Sequence, residues 1–326
     1  MKRLLMGGGF IFLFCIYLQS NCAFAQFGDL LNKASKAAAA KGVKTLGLDN
    51  ILKQPEAIST KFADVDRNGQ QMPDFKNSEV YTPLTDLPKS PNGGYVLKAG
   101  QFEIFNKSYC LKAGTYAPSS GDGYMYATLD GKKRDVVIAI LKSAEQHPEV
   151  KQSDIQMLLW TIIARTKFAD YSGSVKATAI RLLTAKQLLQ LEGGALGFLP
   201  FDVVDKAKDQ LPDELKLVFE AENKIRGLVA SGNYTFSEFE SLAIIAGMAE
   251  PHPDTPSGIW TLHPDGYYVR YFPSGYSSTK VQIYVPEETV TKLKGKELIY
   301  DATDDIACPA NTGSQRLVQT NEVVSM

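Results

Sequence analysis

Two side chains in this chain are of types that can condense with loss of ammonia: the thiol of Cys110 and the carboxamide of Gln156. Attack of the sulfur on the glutamine acyl carbon gives an internal thioester, a stored electrophile that an external nucleophile can open. The chemistry needs the two groups in contact and correctly aimed. Cys110 lies in the run Lys107-Ser108-Tyr109-Cys110-Leu111, and Gln156 in Asp154-Ile155-Gln156-Met157-Leu158-Leu159-Trp160. On a helix, Gln156 shares a face with Trp160 and Ile163, at i+4 and i+7. A carboxamide turned toward a core must find hydrogen-bond partners, because burial without them is costly. A second use for Gln156 is local: Ser153-x-x-Gln156 has the form of a capping box. That assignment puts Gln156 in the first helical turn, where a docked cysteine would sense the positive helix end.

The elements that must position this pair can be read around it. Tyr95-Val96-Leu97 and Gly100-Gln101-Phe102-Glu103-Ile104-Phe105 read as strands around a turn, the second able to continue to Leu111. Residues 112–131 are rich in glycine and turn residues and read as loop, so Cys110 is expected where a strand gives way to a loop. Helical periodicity covers residues 134–146, 153–168, 175–191 and 203–230, with a break near Pro212. Thr235-x-x-Glu238 caps a last helix. Beyond Pro251 the texture is again β, with strands over residues 259–262, 267–272 and 281–285 separated by Pro-Asp-Gly and Pro-Ser-Gly turns. Residues 301–326 show little periodicity. The expected class is α+β: short strands, then a helical domain, then a small C-terminal antiparallel β unit. The expected division is a leader over 1–25, an N-terminal helix and extended connector over 26–94, a β/helical domain over 95–250 and a β unit with tail over 251–326.

Composition narrows the function classes. The 326 residues are 44% hydrophobic and 22% charged, with a formal net charge of −1, so a core is available and no basic excess points to nucleic acid. Lys2 and Arg3, an apolar stretch over residues 4–18 and Ala23-Phe24-Ala25 have the form of a cleavable export signal, with Gln26 as the new N-terminus. No run is long enough to span a bilayer. The protein is therefore expected to be exported, to the periplasm, the outer surface or the medium. Cys22 as a lipidated residue is disfavoured, since Gln19-Ser20-Asn21 lacks the small residue wanted before it.

Other candidates compete for the same residues. After cleavage two cysteines remain, and in an exported chain Cys110–Cys308 reads as one disulfide. Cys110 with a histidine would make a thiol hydrolase or acyltransferase. Of the three histidines, His147, His252 and His263, the last is the best-placed base. Asp64-Val65-Asp66-Arg67-Asn68-Gly69 begins like a calcium loop, with Asp64, Asp66 and Asn68 as ligands, but Phe75 stands where the bidentate glutamate belongs. No zinc spacing and no dinucleotide or phosphate-loop fingerprint is present.

The Tyr109-Cys110-Leu111 and Ile155-Gln156-Met157-Leu158-Leu159-Trp160 segments together resemble the thioester domains of bacterial surface adhesins. Those carry an aromatic-Cys-aliphatic motif on a β part and an aliphatic-Gln-x-x-aliphatic-Trp motif on a helix. The match covers roughly residues 95–168. The resemblance implies that Cys110 supplies sulfur and Gln156 the acyl carbon, and that the bond acylates a nucleophile on a surface protein or glycan. The chain departs from that family in lacking a sorting signal, a repeated stalk and a Pro-rich wall-spanning stretch. The expectation is an exported envelope or secreted protein that attaches covalently; the alternatives are a non-covalent envelope protein stapled by Cys110–Cys308, and a thiol enzyme.

Overall fold

The computed structural model describes residues 57–61, 80–192, 213–251, 255–309 and 313–324. The expected leader, the N-terminal helix and the Asp64/Asp66/Asn68 loop lie outside these residues. The fold is α+β. Its strands are β1 (Ser59–Lys61), β2 (Thr82–Pro83), β3 (Tyr95–Leu97), β4 (Gly100–Cys110), β5 (Thr115–Tyr116) and β6 (Tyr124–Asp130), then β7 (Ile244–Ile245), β8 (Thr261–Leu262), β9 (Tyr268–Ser274), β10 (Ser278–Val285), β11 (Leu298–Tyr300), β12 (Asp305–Pro309) and β13 (Leu317–Val323). The helices are α1 (Arg134–Ala144), α2 (Gln152–Ile163), α3 (Gly173–Leu182), α4 (Ala185–Glu192), α5 (Asp213–Ser231), α6 (Phe236–Ala243) and α7 (Glu287–Lys292).

One sheet runs in the order β1-β6-β12-β13-β4-β10-β9-β8, with β2 added parallel to β4. The C-terminal strands are antiparallel, as expected, and they join β4 and β6 in this sheet. β10 and β13 flank β4 on its two sides, and β12 lies between β13 and β6. Strands from before and after residue 250 thus pair with one another. The helical segment is an insertion between β6 and β8, and the strands on either side of it close one core. The sheet curls until β6 meets β8: the Tyr126 N–H donates to Thr261 Oγ1 at 3.0 Å, and that hydroxyl donates to the Val269 carbonyl at 3.1 Å.

Two stretches expected to be irregular are central strands. Tyr124 to Ala127 of β6 are buried at every position, so the period-2 alternation that marks a half-buried strand is missing. β13 reads Leu-Val-Gln-Thr-Asn-Glu-Val, too polar for a core strand by composition. Its burial is supported by dedicated partners: Asn321 donates through N and Nδ2 to Glu145 Oε1 at 2.8 and 3.0 Å, while Asn321 Oδ1 accepts the Ala302 N–H at 3.0 Å.

α2 is the central helix. Every residue from Ile155 to Ile163 is buried, and a helix apolar all round belongs inside. Asp154 in its first turn complements the helix dipole. Its end is a Schellman turn in which Arg165 N–H reaches Ile162 O at 2.9 Å and Thr166 N–H reaches Thr161 O at 3.2 Å. Arg165 takes the left-handed position, φ 59°, usually held by glycine. Its guanidinium is paired with Glu222 of α5 and lies over Phe219, contacts a glycine would lack. The periodic segment 175–191 is two helices. Leu183 is extended, and Thr184 accepts from Gln187 N–H while Gln187 Oε1 accepts from Thr184 N–H at 2.8 Å, a capping box readable in Thr184-x-x-Gln187.

Candidate functional site

The site is the seam between α2 and the end of β4. Along β4, Phe102, Ile104, Asn106 and Ser108 are buried in alternation, and from Ser108 to Cys110 burial becomes continuous. The change marks where β10 stops covering one edge of the strand. β10 pairs with β4 from Gly100 to Lys107. Beyond that, backbone groups of β4 on that edge need other partners. α2 supplies them from one row of side chains. Gln152 Nε2 donates to Ser108 O at 3.0 Å, Gln156 Nε2 to Cys110 O at 3.1 Å, and Trp160 Nε1 to Lys112 O at 3.1 Å. Residues i, i+4 and i+8 of a helix repeat at about 6 Å, and alternate residues of a strand at about 6.7 Å. The two spacings match closely enough for one helix row to continue the ladder that β10 leaves off.

Gln156 is held on both sides. Its Oε1 also accepts the Cys110 N–H, at 2.7 Å. The carboxamide thus pairs with both the N–H and the C=O of Cys110. Its acyl carbon is one bond from each of the two atoms bound to Cys110, and the Cys110 sulfur is two bonds from the Cα between those backbone groups. The structure brings the Gln156 side chain to the Cys110 backbone.

Both partners are shielded: Cys110 is 0% and Gln156 2% exposed. Burial pushes the Cys110 thiol well above its ordinary pKa, and the Glu240 carboxylate adds to the shift. No activated thiolate stands here. The expected help from a helix N-terminus fails for a geometric reason. α2 begins at Gln152 with Lys151 as its N-cap, without a side-chain cap. Gln156 is therefore past the first turn, Ser153 is inside the helix, and the expected Ser153/Gln156 capping box does not form.

Three further residues complete the site. Trp160, fully buried, stacks on Phe236 at 5.9 Å and is tilted against Tyr276 at 6.3 Å. Tyr276 sits in the turn between β9 and β10, and its hydroxyl donates to Glu240 of α6. Glu240 and Tyr276 are half-buried and form the outer rim. Sequence reasoning missed both. Tyr276 is marked in the sequence only by its place beside the Pro273-Ser274-Gly275 turn, and Glu240 carries no local signal. Beyond Cys110 the chain turns at Gly114, φ 71°, where a Cβ would stand 2.5 Å from the Leu217 carbonyl oxygen of α5. Only glycine lets the loop pass that close.

The other candidates are separated from this seam. Cys308 is a buried thiol on β12, and Cys110 is a thiol on β4. β13 lies between the two strands, so they are two strand spacings, about 9.6 Å, apart. A disulfide needs Cα atoms within about 7 Å. The expected Cys110–Cys308 staple is thereby corrected. His263 lies inside the curled sheet, where Nδ1 accepts the Asp265 N–H at 3.2 Å and Nε2 is 3.4 Å from Asp305 Oδ1. Its ring stacks on Tyr267 and meets Tyr126 edge-on. Both nitrogens are committed there, so His263 does not serve Cys110 as a base. His147 faces Glu149 on the surface, and His252 is outside the described residues. Among the described residues, no cluster of His, Cys, Asp or Glu has metal-binding form, and no helix is long and apolar enough to cross a membrane.

No protein-family model, curated protein or solved structure matches the chain.

Proposed function

We propose that Cys110 and Gln156 form an internal thioester, and that the protein is exported and uses this bond to attach covalently to a nucleophile on a surface protein or glycan. The observation that carries the reading is the clamp on the Gln156 carboxamide by the Cys110 N–H and C=O, at 2.7 and 3.1 Å. In bond formation the sulfur adds to the acyl carbon, the C–N bond breaks, and ammonia leaves with the thiol proton. The Cys110 N–H already points at the oxygen on which negative charge develops, which is the requirement for oxyanion stabilisation. Burial that disfavours a thiolate also favours its neutral acylated form and keeps water from hydrolysing it.

A second reading has its own observation. Gln152 and Trp160 satisfy the Ser108 and Lys112 carbonyls as Gln156 does that of Cys110, so Gln156 can act as a backbone clamp and nothing more. Mass separates the two. With a thioester, the mature protein beginning at Gln26 is lighter than its sequence by one ammonia, and methylamine adds at Gln156. Both signals vanish in Cys110→Ala and Gln156→Ala. A wild-type protein of full sequence mass that takes up no methylamine would leave the clamp alone.

A further inference from the structure

The rim residues Tyr276 and Glu240 have no part in the clamp, yet they are tied to it. Ser108 Oγ donates to the Tyr276 carbonyl at 3.0 Å, and Thr279 Oγ1 donates to Ser108 Oγ at 3.1 Å. The Ser108 N–H donates to Ser277 O at 3.0 Å, and Gln152 Nε2 to the same oxygen at 2.7 Å. The turn carrying Tyr276 is therefore fixed beside β4 two residues before Cys110. Ser108 and Cys110 point to the same face of the strand. The ring of Tyr276 rests against Trp160, and its hydroxyl reaches Glu240.

We infer that Glu240, acting through the Tyr276 hydroxyl, is the proton acceptor for the nucleophile that opens the thioester. This rests on the thioester reading. An incoming ammonium must lose one proton before its nitrogen can attack the Gln156 acyl carbon, and a second as the amide forms. The first passes to the Tyr276 oxygen as Tyr276 hands its own proton to Glu240, which is half-exposed and can release it to water. The nitrogen adds to the acyl carbon and the C–S bond breaks. The departing Cys110 sulfur takes the second proton. No oxidant or other reactant is required. The titratable groups facing this point are Cys110 on β4, Tyr124 on β6, Glu240 on α6 and Tyr276 on the turn. Asp122, the other carboxylate near Tyr124, accepts from the Ser119 N–H and the Ser314 hydroxyl, whereas the Glu240 charge is felt at both Cys110 and Tyr276. Burial and Glu240 together push the Tyr276 hydroxyl up, so it stays protonated and able to relay.

The test is methylamine uptake by the exported full-length protein, followed by mass as a function of pH, in wild type, Glu240→Gln, Glu240→Asp and Tyr276→Phe. The expected result is that Glu240→Gln and Tyr276→Phe keep the ammonia deficit but react about 100-fold more slowly near neutral pH, the low end of what a positioned base supplies. The gap should close as the pH approaches the amine's own pKa, where no proton needs removing, and Glu240→Asp should recover part of the rate. A structural role would not give a pH-dependent gap. If the deficit is present and both variants react at the wild-type rate, this inference fails while the thioester stands. If wild type shows no deficit, both fail. Should Glu240→Gln not accumulate the thioester, Tyr276→Phe decides alone, since it keeps the ring on Trp160 and loses only the hydroxyl.

Discussion

The α2–β4 seam and the His263–Asp305 centre are both buried and both polar, yet their polar groups are arranged to different ends. At the seam, neutral side chains meet backbone groups: Gln152 and Gln156 donate to β4 carbonyls and Trp160 to the Lys112 carbonyl just past the strand, and a half-buried rim leads to solvent. Inside the curled sheet, a histidine and an aspartate face each other among Tyr126, Tyr267, Tyr271 and Tyr300. Burial pushes the hydroxyls of Tyr267, Tyr271 and Tyr300 well above their ordinary range. That centre contains the residue types most often linked to catalysis, and its geometry uses them for packing. The seam contains one cysteine and two side-chain amides, and its geometry sets the Gln156 amide against the backbone of Cys110. Residue type is a poor guide to a site unless placement and access agree with it.

The comparison can be broken first at Trp160. Trp160→Ala removes a fully buried indole and the donor to Lys112 O, and should cost about 3–5 kcal/mol in urea unfolding. It should loosen Tyr276 as well, since the ring loses its support. A loss under about 1 kcal/mol would show that the row of α2 side chains is not what holds β4. Gln152→Ala sharpens the comparison by removing one rung without touching Cys110 or Gln156. It should cost about 0.5–1.5 kcal/mol and leave the ammonia deficit of the proposed thioester in place. Loss of the deficit would mean that the clamp on Gln156 depends on its neighbour one turn back.

The smallest expected effect is at the other centre. Burial raises the Asp305 pKa above 3.8, and His263 opposes the shift. A raised folded pKa contributes stability that is complete below the unfolded value and is lost as the pH rises through the folded one. Asp305→Asn cannot lose that proton. Its melting temperature relative to wild type should therefore climb from acid toward neutral pH, with a difference under about 1 kcal/mol because the volume is kept. Methylamine uptake should be unchanged. A difference that falls with pH would reverse the assignment of Asp305 as a carboxyl disfavoured by burial.

The seam was half legible before the structure. Gln156 and Trp160 could be placed on one helical face because helical periodicity is local. The strand ending at Cys110 could be traced by its alternation through Phe102 and Ile104. The α6 capping box of Thr235 and Glu238, with Thr235 N–H donating to Glu238 Oε2 at 2.7 Å, was written in four residues. The capping role expected for Gln156 fits the same four-residue rule, but its side chain is engaged across the fold instead. A motif names what a side chain could do locally, and Cys110 offered it better partners.

By itself the sequence determined the elements whose signals are local: the amphipathic helices, the strands that alternate, the turns and the two motif segments. Tertiary structure alone decided three things. It set β12 and β13 between β6 and β4, which separates Cys308 from Cys110 by a strand. It buried β6 and β13 on both faces, which erased the alternation that would have revealed them. It also brought Glu240 and Tyr276, from an inserted helix and a hairpin turn, to the rim of the Cys110 site. Each is a contact between residues far apart in the chain. The free energy of such contacts comes from closing one core, a property of the whole arrangement that no local window of residues contains.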